Sequence, residues 1–267
     1  MKLAARLFAV ACVLLVAACD TGTPEKDIKA ARKADAEKRY REDRASVLAD
    51  IKKLIAEQKF APAIYHLDYL TAFQNAELDA LRQQAKAGLG KANKAKADEE
   101  RRKLDAVEKR GRAFLAKARK SRDDIERITW YHDPGASAIE NETGVFLYIG
   151  KKDGDPKPWL RFHVNYRGDD WLFVEGFIVA ADDFRYDSGK VRFKRDHYGG
   201  VVWESYDGLF RETELVVINK IVEAKKTVIR FSGSRYHKDV VVDTVQKEAL
   251  RNVLAGYGAM LAGTKPE

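Results

Sequence analysis

The residue with the most specific chemistry in this chain is Cys19, and its meaning comes from what precedes it. Lys2 and Arg6 give the sequence a basic start. Leu7 to Ala18 is then an uncharged run of 12 residues ending in Val16-Ala17-Ala18-Cys19. Such a run is too short for a bilayer core of ~30 Å but has the length of a signal-peptide core. At Asp20-Thr21-Gly22-Thr23-Pro24 the sequence turns abruptly polar. No other chemistry is spelled out. The chain has no HExxH, no paired-histidine metal spacing, no CxxC and no Gly-x-Ser-x-Gly elbow. His66, His132, His163, His197 and His237 are scattered and read as surface or packing residues. Gly258 to Lys265 approaches a phosphate loop, yet Thr264 and Lys265 stand in reversed order and no helix follows to face a phosphate. No catalytic residue, metal ligand or cofactor site is assigned.

The segment up to Cys19 resembles the bacterial lipobox: an aliphatic residue, two small residues, then cysteine. The resemblance implies a diacylglyceryl group on the Cys19 thiol, cleavage before Cys19 and acylation of the new amine. Each buried methylene contributes ~0.8 kcal/mol, so two or three acyl chains would hold the protein firmly at a membrane. The expected site is a periplasm-facing bacterial membrane. Asp20, next to the acylated position, resembles an inner-membrane retention signal. Since Cys12 leaves with the signal, the mature chain would have no free thiol and no disulfide.

The 267 residues carry a formal charge of +8, or +6 without Lys2 and Arg6. Lys91 to Asp124 holds 13 Lys/Arg against 7 Asp/Glu, which suits either a solvated helical connector or contact with anionic lipid. An exported chain does not meet nucleic acid, so none is expected as a partner. The expected partners are the membrane, through the acyl anchor, and an unspecified envelope protein or ligand.

Composition divides the chain near residues 120–126. Before it, Ala, Lys, Glu, Arg and Leu dominate; after it come all four tryptophans and most of the Tyr, Phe, Val and Gly. The organisation expected is a signal peptide over 1–18, a charged spacer over 19–44, a helical region over 45–124 and an α+β domain over 125–263. Glu25 to Arg44 lacks an apolar stripe and reads as a solvated helix or a flexible spacer. Val47, Leu48, Ile51, Leu54 and Ile55 form an amphipathic face, and Pro62 suits the first turn of the next helix. This segment resembles a single degenerate tetratricopeptide-type helix pair, which repeat physics treats as an isolated hairpin. Gly88 and Gly90 are expected to interrupt it. A long helix over Lys94–Lys120 carries a short heptad seam at Leu104, Val107, Gly111, Phe114 and Ala118, a coiled-coil pattern weakened by Gly111.

In the C-terminal part the spacing predicts strands at Ile125–Tyr131, Val145–Gly150, Trp159–Tyr166, Trp171–Ala180, Val191–Lys194, Val201–Ser205 and Thr227–Ser232. The fold class expected is α+β, an antiparallel β-rich domain with two closing helices at Glu212–Ala224 and Thr244–Leu261. Arg161, His163 and Asn165 alternate with Leu160, Phe162, Val164 and Tyr166, as in a half-buried strand. Arg167-Gly168-Asp169-Asp170 reads as the hairpin turn into the next strand, and Thr244 as the cap of the last helix.

Dense aromatics, among them Trp130, Tyr148, Trp159 and Trp203, fit a sheet core or the lining of a ligand groove. His132, Asp133, Asp169, Asp170 and Glu175 are the candidates should the domain act on an envelope polymer through paired carboxylates. The stretches Thr129-Trp130-Tyr131, Tyr148-Ile149-Gly150-Lys151-Lys152-Asp153, Asp169-Asp170-Trp171-Leu172-Phe173 and Ile229-Arg230-Phe231 resemble a family of uncharacterised bacterial proteins over roughly residues 120–260. That family brings no reaction or ligand with it. The reading is a non-catalytic, lipid-anchored envelope protein with a protein- or ligand-binding module.

Overall fold

A computed structural model describes residues 25–73, 75–135 and 142–265; the signal segment with Cys19 and Asp20 lies outside them. The described residues combine helices with antiparallel sheet. Two compact units divide the chain between Asp98 and Glu99.

The first unit contains α1 (Glu25–Glu42), α2 (Arg44–Ala56), α3 (Phe60–Asp68) and the start of α4 (Ala76–Lys117). The Asp43 side chain accepts from the Ser46 amide and caps α2. Gln58, at φ 58°, ends it: the Gln58 and Lys59 amides donate back to the Ile55 and Leu54 carbonyls. Ile51, Ala63, Leu67 and Leu78 are fully enclosed at the centre. Tyr40 belongs to this core, its ring 4.7 Å from that of Phe73, so the charged stretch before Arg44 contributes packing.

Gly88 and Gly90 do not interrupt the chain, since α4 runs unbroken through both. Gly88 leaves room for the Phe60 ring, which a Cβ there would strike, whereas a Cβ at Gly90 would meet nothing. Nor does the long helix reach Lys120. It stops at Lys117, and Arg119–Asp123 forms strand β1. Within the expected seam, Leu104 and Val107 are exposed, while Gly111 and Phe114 pack on the last helix. A Cβ on Gly111 would sit on the Ala255 carbonyl, and one on Gly256 would strike the Phe114 ring. Gly111 therefore serves a close helix approach.

The second unit holds two antiparallel sheets. One has the order β1 (Arg119–Asp123), β2 (Ile128–His132), β3 (Gly144–Lys152), β4 (Trp159–Gly168), β8 (Val201–Leu209), β7 (Lys194–Tyr198). The other has the order β10 (His237–Val241), β9 (Thr227–Gly233), β5 (Val174–Ala181), β6 (Phe184–Asp187). Their inner faces meet through ring contacts such as Phe162 with Phe177 and Tyr166 with Phe231, both at 6.0 Å. Helices α5 (Glu212–Glu223) and α6 (Thr244–Leu261) close the core with Val217, Ile218, Ile221, Leu250 and Val253. Phe114 and Leu115, N-terminal to the compositional boundary, are buried in it as well. Two cations on α6 satisfy the end of α5: the buried Lys247 ammonium donates to the Ala224 carbonyl at 2.7 Å, and Arg251 donates to the Val222 carbonyl. The cap of α6 is Asp243, which accepts from the Gln246 amide at 2.7 Å, and not Thr244.

Residues 167–170 are not a hairpin turn. β4 pairs with β3 and β8, and the chain leaves it to enter the other sheet as β5. The expected strand at Trp171 begins only at Val174, because the Leu172 and Phe173 amides donate to the buried Glu204 carboxylate instead of a strand. β7 starts at Lys194, beyond most of the expected Val191–Lys194 strand. The short edge strand β10 lacks the apolar alternation that would announce it, and β6 carries it over four residues only, Phe184 and Tyr186 against Arg185 and Asp187.

The two α4 glycines make opposite expectations for thermal unfolding of the full chain. Gly90→Ala should stabilise by about 0.5–1 kcal/mol, the helix-propensity gain with nothing to strike. Gly111→Ala should destabilise by about 1–3 kcal/mol, since the obstruction is the Ala255 backbone.

Candidate functional site

Alternation along the strands gives the six-stranded sheet two different faces. Leu160, Phe162 and Val164 of β4 enter the core, so Trp159, Arg161, His163, Asn165 and Arg167 take the opposite side. Strand pairing then assembles that outer face in cross-strand rungs. Tyr148 pairs with His132 on β2 and with Arg161 on β4; His163 lies between Phe146 and Asp207; Asn165 pairs with Ser205, and Arg167 with Trp203. These rungs line a cleft of about 780 Å³, flanked at one end by Tyr198 and Gly199 of the β7–β8 turn. Gly199 and Gly200, at φ 61° and 83°, provide the left-handed backbone that such a two-residue turn requires.

A polar triad holds the cleft floor. Tyr148 Oη donates to Asp207 Oδ2 at 2.5 Å, and Arg161 Nε donates to Asp207 Oδ1 at 3.0 Å. Arg161 Nη2 also reaches the Asp207 carbonyl at 3.2 Å. Burial, and then the hydrogen bond to Asp207, push the Tyr148 phenol well above its ordinary value, so it remains a donor at neutral pH. The carboxylate is thus met by two donors from two neighbouring strands, which fixes all three side chains.

Aromatic rings form the walls. His132 stacks on Tyr148 with centroids 5.0 Å apart and an interplanar angle of 9°. Outside the lining, Trp130 meets Tyr148 edge-on at 5.4 Å and Trp159 at 5.7 Å. Gly150 lies directly between the two tryptophans in register, and a Cβ there would enter both indoles. Phe146 lies 5.2 Å from His163 and packs on Ala249 of α6.

Of the five candidate polymer-acting residues, the cleft includes only His132. Asp133 is buried and accepts from the Gly135 amide and from Asn252 Nδ2, both at 2.9 Å. Asp169 and Asp170 lie exposed in the crossover loop, where the Asp170 carbonyl accepts from Tyr166 Oη. Glu175 belongs to β5 and pairs with Lys190 at 3.0 Å. The one carboxylate lining the cleft is Asp207, already engaged by Tyr148 and Arg161. Among the described residues no group of three or more His, Cys, Asp or Glu side chains could hold a metal ion. The sequence reading missed Asp207 and Arg161 as partners. The signal for Arg161 was the polar half of the β4 alternation, whereas the Asp207 role depends on which strand β8 joins.

No family model, curated protein or solved structure matches the chain.

Gly150→Ala should separate Trp130 from Trp159. The expected result is a loss of about 1–3 kcal/mol with a changed near-ultraviolet circular dichroism, while Gly154→Ala, on an exposed turn, should leave that spectrum unaltered.

Proposed function

We propose that this chain is a non-catalytic, lipid-anchored protein of the bacterial cell envelope, and that its second unit binds a ligand or partner in the outer-face cleft. The observation that carries the binding reading is the cleft itself. Its walls are aromatic, and its polar groups converge on positions fixed by strand register and by the Tyr148–Asp207–Arg161 triad. Apart from Phe146, which packs on Ala249, the lining side chains stand outside the main core, which occupies the opposite face of the same strands. The second reading, an enzyme acting on an envelope polymer, needs two facing carboxylates. The five candidate side chains do not converge, which weighs for binding.

The anchor reading rests on the lipobox at Val16–Cys19, with Asp20 favouring the inner membrane. Among the described residues no helix is long and apolar enough to cross a membrane. The helical region over 45–124 is proposed as a hairpin followed by a long helix, with the exposed Leu104 and Val107 available for a short coiled-coil contact.

Two measurements test these readings separately. Detergent phase partitioning should place the wild-type chain in the detergent phase and Cys19→Ser in the aqueous phase; identical partitioning would remove the anchor. Nuclear magnetic resonance mapping with ring-bearing small fragments should cluster the shifted signals at His132, Tyr148 and Trp203. Shifts scattered over the surface would remove the cleft.

A further inference from the structure

The cleft has a charge preference that its composition alone conceals. Asp207 is matched by Arg161 and Tyr148, so its charge is balanced within the cleft by the Arg161 guanidinium. Arg167, directly across from Trp203, is exposed and has no ion pair among the described residues. His132, His163 and Asn165 add polar groups to the same lining.

Trp203 and Ser205 also line a second groove, which continues the surface toward the β7 edge. There Lys190 is paired with Glu175, and Arg195 with Glu204. Arg192 and Lys194 are exposed and without an ion pair among the described residues, and Lys194 lies beside Ser205 in register. Asp196 is the one carboxylate of that groove outside an ion pair, and its Oδ1 accepts from the His197 amide at 2.8 Å. The surface on either side of Trp203 thus offers three uncommitted cations, Arg167, Arg192 and Lys194, against Asp196.

Resting on the binding reading above, the geometry points to an acidic saccharide chain as the ligand, lying from the cleft across Trp203 into the basic groove. Sugar rings present a flat C–H face to indole and phenol rings, and ring hydroxyls suit the Ser205 hydroxyl. Asp196 pairs with Trp203 on the β7 side, so carboxylates spaced along such a chain would reach Arg167 beside Trp203 and, past Asp196, Lys194 beside Ser205. A neutral saccharide would use the aromatic walls and leave the cations idle.

The test titrates the full-length chain, in non-ionic detergent, with hexagalacturonate, with maltohexaose and with a short oligothymidylate, read by tryptophan fluorescence and calorimetry. Hexagalacturonate should bind, more weakly as salt rises, and at least about tenfold more tightly than maltohexaose. Arg167→Gln and Lys194→Gln should each weaken it by about tenfold while leaving the melting temperature unchanged, because neither side chain has an ion pair to lose. Equal binding of maltohexaose, or unchanged affinity in both variants, would overturn the acidic class and leave the cleft a binding site. Tighter binding of oligothymidylate would overturn the saccharide in favour of nucleic acid. Silence from hexagalacturonate overturns this proposal alone if ring-bearing fragments still map to the cleft, and both readings if they do not.

Discussion

Everything in the second unit depends on how the chain leaves one sheet and enters the other, and a single buried carboxylate controls that step. Glu204 points inward from β8 with no exposed surface. Its Oε1 accepts from the Leu172 and Phe173 amides at 2.8 and 2.7 Å, and its Oε2 from the Val174 amide at 2.7 Å and from Arg195 Nε at 2.8 Å. Arg195 completes the loop by donating to the Val174 carbonyl at 3.1 Å. Burying a charge is costly, on the order of several kcal/mol, unless every acceptor site is occupied. Here four donors occupy them. The gain is geometric: three consecutive amides that would otherwise start a strand are turned onto one point. Phe173 is held at φ 54° there, a conformation costing about 1–3 kcal/mol for a residue with a side chain. Gly233 matches the resulting approach, since a Cβ on it would sit on the Leu172 carbonyl.

The same strand links the clamp to the cleft. Glu204 faces inward, and its neighbours Trp203 and Ser205 face outward into the lining. Because side-chain direction alternates strictly, a register slip of one residue in β8 would put Trp203 in the core and the carboxylate in the cleft. The clamp therefore fixes the register on which the rungs Asn165–Ser205 and Arg167–Trp203 depend. The aromatic end of the face follows a parallel logic, in which Gly150 gives up its own side chain so that two tryptophans can close over it.

The sequence showed some of this directly. The β4 alternation separates Leu160, Phe162 and Val164 from Arg161, His163 and Asn165 before any coordinates, and α6 appears with the expected ends because its apolar spacing is regular. What stayed hidden depends on partners distant in sequence. Nothing near Trp171 reveals that Glu204, more than thirty residues on, will take its neighbours' amides. Gly88 looks like a helix breaker until Phe60 lies against it, and Gly111 looks like a weak heptad position until Ala255 does. The carboxylates of Asp133 and Glu175 look available in sequence because their partners, Asn252 and Lys190, are supplied by the fold. Asp207 was invisible for the converse reason: its role exists only once β8 lies beside β4.

The most direct test of the clamp is native-state hydrogen exchange at the amides of Leu172, Phe173 and Val174. Phe173 is 51% exposed in a loop between strands, so its amide would ordinarily exchange quickly. If Glu204 holds the crossover, all three amides should exchange only through opening of the whole unit, at the rate of the central β4 amides. Fast exchange at these three positions while β4 remains protected would contradict the clamp, and with it the account of how the two sheets and the cleft are held in register.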